Sequence, residues 1–397
     1  MKFHDPVSVF TKHKQKGHVL HVTQEHSPRN PGVTAVVNAL GLHLTRTEWS
    51  STVAIAGLAL TPVPEGVESV ELPLLIKFDR MWRYSYQMKL YFESMKEHPG
   101  TVFHLHGVWG ASQWLAARAS VRHNMPSVFT AHDMLSPWHW RNGYLRRLKK
   151  FFYWSILGYP AFRHLTIIHA LTVKEREYLA YFFPNQRLEV IPNAIDTEEV
   201  DKLLSELGPA SFLPREQPYL LFLGRLSPQK GIDLLIKAFS MSVKGGDYRL
   251  LIAGPDSTES YTSELRSLVK LLDIEKQVVF LGPIFGPQKW QLYRDAWACC
   301  FPSRSEGMSI TSLEAAAAGI PFITTYEAGI LDWHEAGGIL IHPCIDKLSL
   351  AIEKVFSWGE REKQDRGKAI RQLVERRYSW KAVGPLWAEL YSELLEL

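Results

Sequence analysis

Residues 301–314, FPSRSEGMSITSLE, carry the chain out of an apolar run, ACCF, and into a segment of helical character. Glu306 and Gly307 fall in the loop between, and seven residues separate Glu306 from Glu314. A loop of this kind ends on a helix N-terminus, whose free N–H groups favour a polar, anionic ligand. Working outward, the same strand–loop–helix form recurs. After the Pro-containing segment 208–218 come the apolar runs 219–226, 248–255, 278–284, 320–326 and 337–343, with helix-like stretches between them. Before it, GHVLHVTQ (17–24), STVAIAGLAL (51–60), TVFHLHG (101–107), SVFTAHD (127–133), LTIIHALTV (165–173) and LEVIPNAID (188–196) repeat it. Alternating strands and helices predict mostly parallel sheets covered on both faces, hence an α/β fold in two units.

Open parallel sheets bind ligands beyond the C-terminal ends of their strands, and the candidate residues fall there. In FLGRLSPQKG (222–231), Gly224 lets the backbone turn after a strand. Arg225 offers a planar donor fork and Lys230 a mobile charge for diphosphate oxygens, with Gly231 opening the next helix. The order GxxxxGK[ST] of a P-loop and the GxGxxG dinucleotide turn are both missing. A basic surface loop is the plainer reading. Glu306 and Glu314 offer carboxylates to vicinal hydroxyls, with Gly307, Met308 and Ser309 supplying backbone N–H groups between them. Glu306 reads equally as a helix-dipole partner, and Glu314 as a solvated residue about two turns into the helix.

In the first half, His106 and His132 each follow a strand-like run. Either suits hydrogen bonding beside a sugar phosphate, and either suits a satisfied core position. Asp133 is placed to orient His132, and Gly32 in the loop SPRNPGV to bring backbone near phosphate. Residues 138–155, WHWRNGYLRRLKKFFYWS, mix aromatic and basic side chains. Arg146, Arg147, Lys149 and Lys150 suit anionic headgroups, with Phe151, Phe152, Tyr153 and Trp154 at the interface; the aromatics suit a protein core as well.

Taken together, these stretches resemble the retaining glycosyltransferases of family four, which have the GT-B architecture of two Rossmann-like domains facing a central cleft. The matching pieces are the N-terminal glycine loop, HGVWG (106–110), AHDMLSPW (131–138), HALTVKE (169–175), VIPNAID (190–196), GRLSPQKG, LLIAGP (250–255) and SEGMSITSLEA (305–315). The resemblance implies an acceptor-side domain over 1–200, a donor domain over 201–379 and a final helix, 380–397, crossing back to the first. It implies catalytic roles for His132, Arg225, Lys230 and Glu306, and donor contacts from Gly32, Gly224, Gly307 to Ser309 and Glu314. His106 and Asp133 fall on its acceptor side. Arg225 and Lys230 would hold the diphosphate, Glu306 the sugar hydroxyls, and Glu314 the ribose. The donor would be a GDP- or UDP-hexose, the acceptor a glycan or lipid-linked hydroxyl of polysaccharide assembly, with no separate cofactor. Two departures stand out: Pro31–Gly32 replaces paired glycines, and Asp133 replaces the glycine after the motif histidine. The rival readings are a nucleotide-sugar 2-epimerase and a non-catalytic sugar-nucleotide binder.

Composition agrees with a folded enzyme. Of 397 residues, 46% are hydrophobic and 22% charged, which excludes a disordered chain. The net charge of +4 is uneven: residues 1–196 carry 22 Lys/Arg against 14 Asp/Glu, and residues 197–397 carry 23 against 27. The basic half suits anionic lipid or an anionic acceptor, and no nucleic-acid reader motif accompanies it. Three cysteines without CxxC spacing suggest neither a disulfide framework nor a metal site, and a reducing cytoplasmic setting is expected. The start, MKFHDPVSVFTKHKQKG, lacks the apolar core of a signal peptide, and no run reaches membrane-span length. A cytoplasmic protein, peripheral on the membrane face, is the expectation.

Overall fold

The computed structural model describes residues 16–28, 30–75, 82–141, 143–208, 217–242 and 248–396. Most of the N-terminal basic stretch and of the segment 208–218 lies outside these residues. The first half builds a sheet from β1 (Gly17–Thr23), β2 (Trp49–Ala56), β3 (Glu68–Leu72), β4 (Thr101–His106), β5 (Ser127–Thr130), β6 (Ile167–Ala170) and β7 (Leu188–Val190), in the order β3-β2-β1-β4-β5-β6-β7. The second half builds another from β8 (Tyr219–Leu223), β9 (Arg249–Ala253), β10 (Val278–Gly282), β11 (Ala298–Phe301), β12 (Phe322–Thr325) and β13 (Ile339–Ile341), in the order β10-β9-β8-β11-β12-β13. All pairings between these strands are parallel. The predicted α/β fold of two Rossmann-like domains is therefore present. Strand order reverses between β1 and β4 and again between β8 and β11, which is where such sheets open a ligand crevice.

The strand sequences explain the burial. YLLFL and ACCF contain no charged residue, and every position of both is buried. Leu221 and Leu251 pack into one apolar layer, and Leu220 and Leu250 into the layer on the opposite face. The first sheet is different at its strand ends. Val19, Val102, Val128 and Ile167 share a face with the buried side of helix Pro31–Thr45 and of helix Trp380–Glu396. The two-residue strand period then places His21, His104, Thr130 and His169 next along that face. Register sets His21 opposite His104 and Thr130 opposite His169.

Helix Trp380–Glu396 leaves the second half and buries Val383, Trp387, Leu390, Tyr391 and Leu394 with the first sheet. The chain passes between the halves twice, side by side: Ile195 N donates to Tyr378 O and Trp380 N donates to Ile195 O. Helix Thr197–Glu206 packs on helix Gly286–Asp295, and its Val200 joins the core of the second half. The expected division at 200–201 falls within that helix.

Candidate functional site

The loop after β8 and the loop after β11 meet at the crevice. Gly231 is left-handed, at φ 70°, and a Cβ there would lie 2.1 Å from the carbonyl oxygen of Pro302. Only glycine lets the two loops approach this closely. Lys230 Nζ consequently forms an ion pair with Glu306 Oε1, and Ser303 Oγ donates to Glu306 Oε2 at 2.9 Å. Arg304 holds the loop to helix Ile232–Ser242 through two bonds to the Asp233 carboxylate, each 2.7 Å. Arg225 is exposed and has no hydrogen-bond partner among the described residues. Its charge acts on Glu306 and on His139 of the first domain. Two cations and one carboxylate thus converge at the switch point of the second sheet, with Gly224 turning the chain at φ 153°.

Glu314 lies in helix Ile310–Ala317, which Ser309 caps by accepting from Ser312 N at 3.2 Å. This puts Glu314 little more than one turn in, rather than two. It is not a solvated residue: Lys289 Nζ lies 2.7 Å from Oε1, and Tyr293 OH donates to Oε2 at 3.0 Å. Lys289 and Tyr293 escaped the sequence reading. Their i,i+4 spacing on helix Gly286–Asp295 puts both on one face, the only signal that they act together. Of the residues between the glutamates, Met308 is buried and its Sδ accepts from Asn193 N at 3.1 Å, while the Ser309 hydroxyl is engaged in capping. What these two residues can offer a ligand is therefore backbone. Gly32 sits in the first turn of helix Pro31–Thr45, exposed, with nothing among the described residues within 4 Å of where a Cβ would stand.

The first domain supplies the turn after β5. His132 and Asp133 are both left-handed, at φ 51° and 64°. Each such residue costs about 1–2 kcal/mol, so something must hold the turn. The buried Glu175 carboxylate does, accepting from Asp133 N at 2.8 Å and from Leu171 N at 2.7 Å. Burial raises the Glu175 pKa, and those two N–H groups oppose the rise. The Asp133 side chain does not orient His132. It accepts from Tyr178 OH at 2.9 Å, then from Gln229 Nε2 at 3.3 Å and Ser305 Oγ at 3.4 Å across the cleft. Burial, with Glu175 and Glu306 nearby, pushes its pKa up to about 7. Asp133 is thus a contact between the domains.

The partner of the His132 ring is His106, with Nε2 and Nδ1 3.0 Å apart. His106 is buried, and its Nε2 lies 3.0 Å from His21 Nδ1. With both nitrogens engaged it has none to present to an acceptor, which corrects the acceptor-side expectation. A second chain runs alongside, and its direction is fixed at one end. His169 Nε2 meets the Ile191 carbonyl at 2.8 Å, so this nitrogen must carry the proton. His169 Nδ1 then accepts from Thr130 Oγ1, Thr130 Oγ1 accepts from His104 Nε2, and His104 Nδ1 accepts from Tyr391 OH, each at 2.8 Å. Tyr391 belongs to the helix that returns from the second half, which ties that helix to the floor of the site.

Among the described residues, cavities open between the domains on either side of the His132–Asp133 turn. One, about 310 Å³, has His132, Lys289, Glu314, Trp290 and Trp380 in its wall. Another, about 580 Å³, is bounded by Asp133, Lys174, Tyr178, Tyr181, Glu306 and Gly307. Away from the cleft, helix Tyr144–Tyr153 exposes Tyr144, Leu145, Phe151 and Phe152 beside Arg146, Arg147 and Lys149. Three residues of this segment depart from the interfacial reading. Trp154 is buried against Phe162 and Phe183. Tyr153 OH donates to Val108 O at 2.8 Å. Lys150 Nζ donates to His139 O at 2.9 Å and stands over the Trp109 ring. No described helix is long and apolar enough to cross a membrane.

Two facing, doubly wound domains closed by a returning C-terminal helix make up the GT-B class. The family profile "Glycosyltransferase Family 4" matches residues 31–199, and "Glycosyl transferases group 1" matches residues 206–372. The chain belongs to glycosyltransferase family 4. An uncharacterized glycosyltransferase of Methanocaldococcus jannaschii is 31% identical over 57% of this chain and 59% of its own length. The D-inositol 3-phosphate glycosyltransferase of Mycolicibacterium smegmatis is 32% identical over 36% of this chain and 33% of its own. The chain thus spans less than two thirds of the length of these relatives. Among solved structures, HepE of Anabaena with UDP and glucose superposes with a TM-score of 0.73 at 17% identity, covering 95% of this chain and all of that one. Sucrose-phosphate synthase of Thermosynechococcus elongatus gives 0.75 at 18% identity, covering 96% and 99%. At such identities the likeness is one of fold.

Proposed function

We propose that the protein transfers a hexosyl unit, with retention, from a nucleoside diphosphate sugar to a hydroxyl of a glycan or lipid-linked acceptor. The observation that carries this reading is the convergence of Arg225, Lys230 and Glu306 at one switch point, with Lys289 and Glu314 in the wall of the adjoining cavity. A diphosphate entering the crevice draws Lys230 away from Glu306, because two phosphate charges outbid one carboxylate. The freed Glu306 then accepts from sugar hydroxyls. As the glycosidic bond breaks, charge grows on the leaving diphosphate, and Arg225 and Lys230 stabilise it in place. Glu306 is held by a cation and a serine and has the surroundings of a hydroxyl acceptor, not of a covalent nucleophile. The leaving phosphate lies on the face of the sugar that the acceptor attacks, where it takes the acceptor's proton. Binding of UDP and glucose by the Anabaena neighbour is in keeping with a uridine or guanosine diphosphate hexose here.

The exposed aromatic and basic face of helix Tyr144–Tyr153 suits an anionic membrane surface, and with it a lipid-linked acceptor. The test of the donor reading is a panel of nucleoside diphosphate sugars titrated against native protein and Arg225→Ala. One selective donor, lost in the folded variant, is expected. Equal affinity in both proteins removes Arg225 from the diphosphate site.

A further inference from the structure

Three imidazoles stand in line behind the cleft: His21, His106 and His132. Two hydrogen bonds, each 3.0 Å, join them. The far end of the line is His21 Nε2, which is buried and has no hydrogen-bond partner among the described residues. The near end is His132 Nδ1, which lacks a hydrogen-bond partner among the described residues, on a partly exposed ring in the wall of the interdomain cavity. Burial holds all three rings neutral: it lowers the pKa of His21 and of His132 to about 3, and that of His106 well below its ordinary value. Each ring therefore carries one proton, and the line has two self-consistent arrangements.

In one arrangement His21 Nε2 bears the proton, every donor points away from the cleft, and His132 Nδ1 is a bare acceptor. In the other, His21 Nδ1–H donates to His106 Nε2 and His106 Nδ1–H donates to His132 Nε2. His132 then presents Nδ1–H to the cleft. The two differ in what is left at the buried end: an orphaned N–H in the first, an orphaned lone pair in the second. A buried N–H without an acceptor is the rarer and costlier defect. From this asymmetry we propose that His21 and His106 are positioning residues that set His132 in its Nδ1–H tautomer, making it a hydrogen-bond donor to the bound sugar. The role rests on the transferase reading for its substrate, but the tautomer itself does not.

The same rings invite a rival occupant, since nitrogens of His21, His104 and His106 lie within 4.8 Å of one another. His104 and His106 already spend both nitrogens on hydrogen bonds, so a metal ion there would have to break them. The relay and a resident ion are mutually exclusive.

The experiment is ¹⁵N NMR of the full-length protein labelled at histidine, with and without one equivalent of Zn²⁺. Expected are three Nδ1-protonated rings, for His21, His106 and His132, unchanged by zinc. An Nε2-protonated His132, or stoichiometric zinc uptake that shifts these rings, overturns the proposal. This measurement needs neither substrate nor variant, so it stands even if the transfer reading fails. A pair of variants carries it to catalysis. His106→Asn keeps an amide N–H at the Nδ1 position, whereas His106→Asp offers only acceptors there and reverses the polarity at His132. The Asp variant should fall at least about ten-fold below the Asn variant in kcat, with donor KM little changed. Equal kcat in two folded variants refutes the catalytic part of the relay.

Discussion

Asp133→Asn should make the protein more stable than the native chain at pH 8 and not at pH 5. The carboxyl is buried, 7% exposed, and its pKa moves from 3.8 to about 7, chiefly through burial and the neighbouring Glu175. Between those pH values the folded chain keeps a proton that the unfolded chain has released. Stability of the native protein therefore falls as pH rises through this window, by up to about 1.4 kcal/mol per pH unit. Across the window this sums to about 4 kcal/mol at most. The asparagine variant has no proton to lose at this position. It keeps an acceptor for Tyr178, presents an N–H to the Ser305 hydroxyl while losing the bond from Gln229 Nε2, and tolerates the left-handed backbone as aspartate does. Its weaker acceptor and the lost Gln229 bond give back about 1–2 kcal/mol of hydrogen bonding. The net advantage at pH 8 is then about 2–3 kcal/mol. Urea titrations of both proteins at pH 5, 6, 7 and 8 measure it. A difference between the two that is the same at every pH refutes the buried, proton-holding Asp133.

Lys230→Ala should lower kcat/KM by about 10²- to 10³-fold through loss of charge stabilisation on the leaving diphosphate. Initial rates on variant protein of native circular dichroism test it, and an unchanged value sinks the assignment. Gly231→Ala forces a side chain against the Pro302 carbonyl at φ 70°, which costs at least about 1–2 kcal/mol and displaces Lys230, whereas Gly32→Ala meets nothing and should melt as native. Equal melting temperatures for the two variants contradict the loop geometry. Leu145→Glu with Phe151→Glu should abolish co-sedimentation with vesicles rich in anionic phospholipid and leave the melting temperature unchanged, because both side chains are exposed. Native protein that stays in the supernatant removes the membrane reading.

Much of the candidate site was legible because its residues sit in loops after apolar strands or on the helix that follows, and such positions lie at the crevice end of the sheet. Arg225, Lys230 and Glu306 were singled out by their loops, and Glu314 by the helix after one of them. Lys289, Tyr293, Gln229 and Ser305 were not, since each acts through a partner far along the chain, and no local pattern distinguishes it from an ordinary helix or loop residue. Asp133 misled for the same reason: its sequence neighbour is His132, but its carboxylate reaches Tyr178, Gln229 and Ser305. The aromatic run 151–154 divides between surface and core, with Phe151 exposed and Trp154 buried, and the mixed composition of the run did not reveal where.

What the chain by itself determined was the alternation of largely apolar strands with helices, and hence two parallel sheets. Burial on both faces demands continuous apolar strands, and continuous apolar strands demand cover. What only the tertiary structure decided was the pairing of polar groups behind the cleft. His21, His104, His106 and His169 look alike in sequence, each beside apolar neighbours. Register across β1, β4, β5 and β6 brings them together, the Ile191 carbonyl fixes the proton order of one line, and an unpartnered buried nitrogen biases the other. The direction of a hydrogen bond depends on what stands at both of its ends, and here those ends lie up to 287 residues apart.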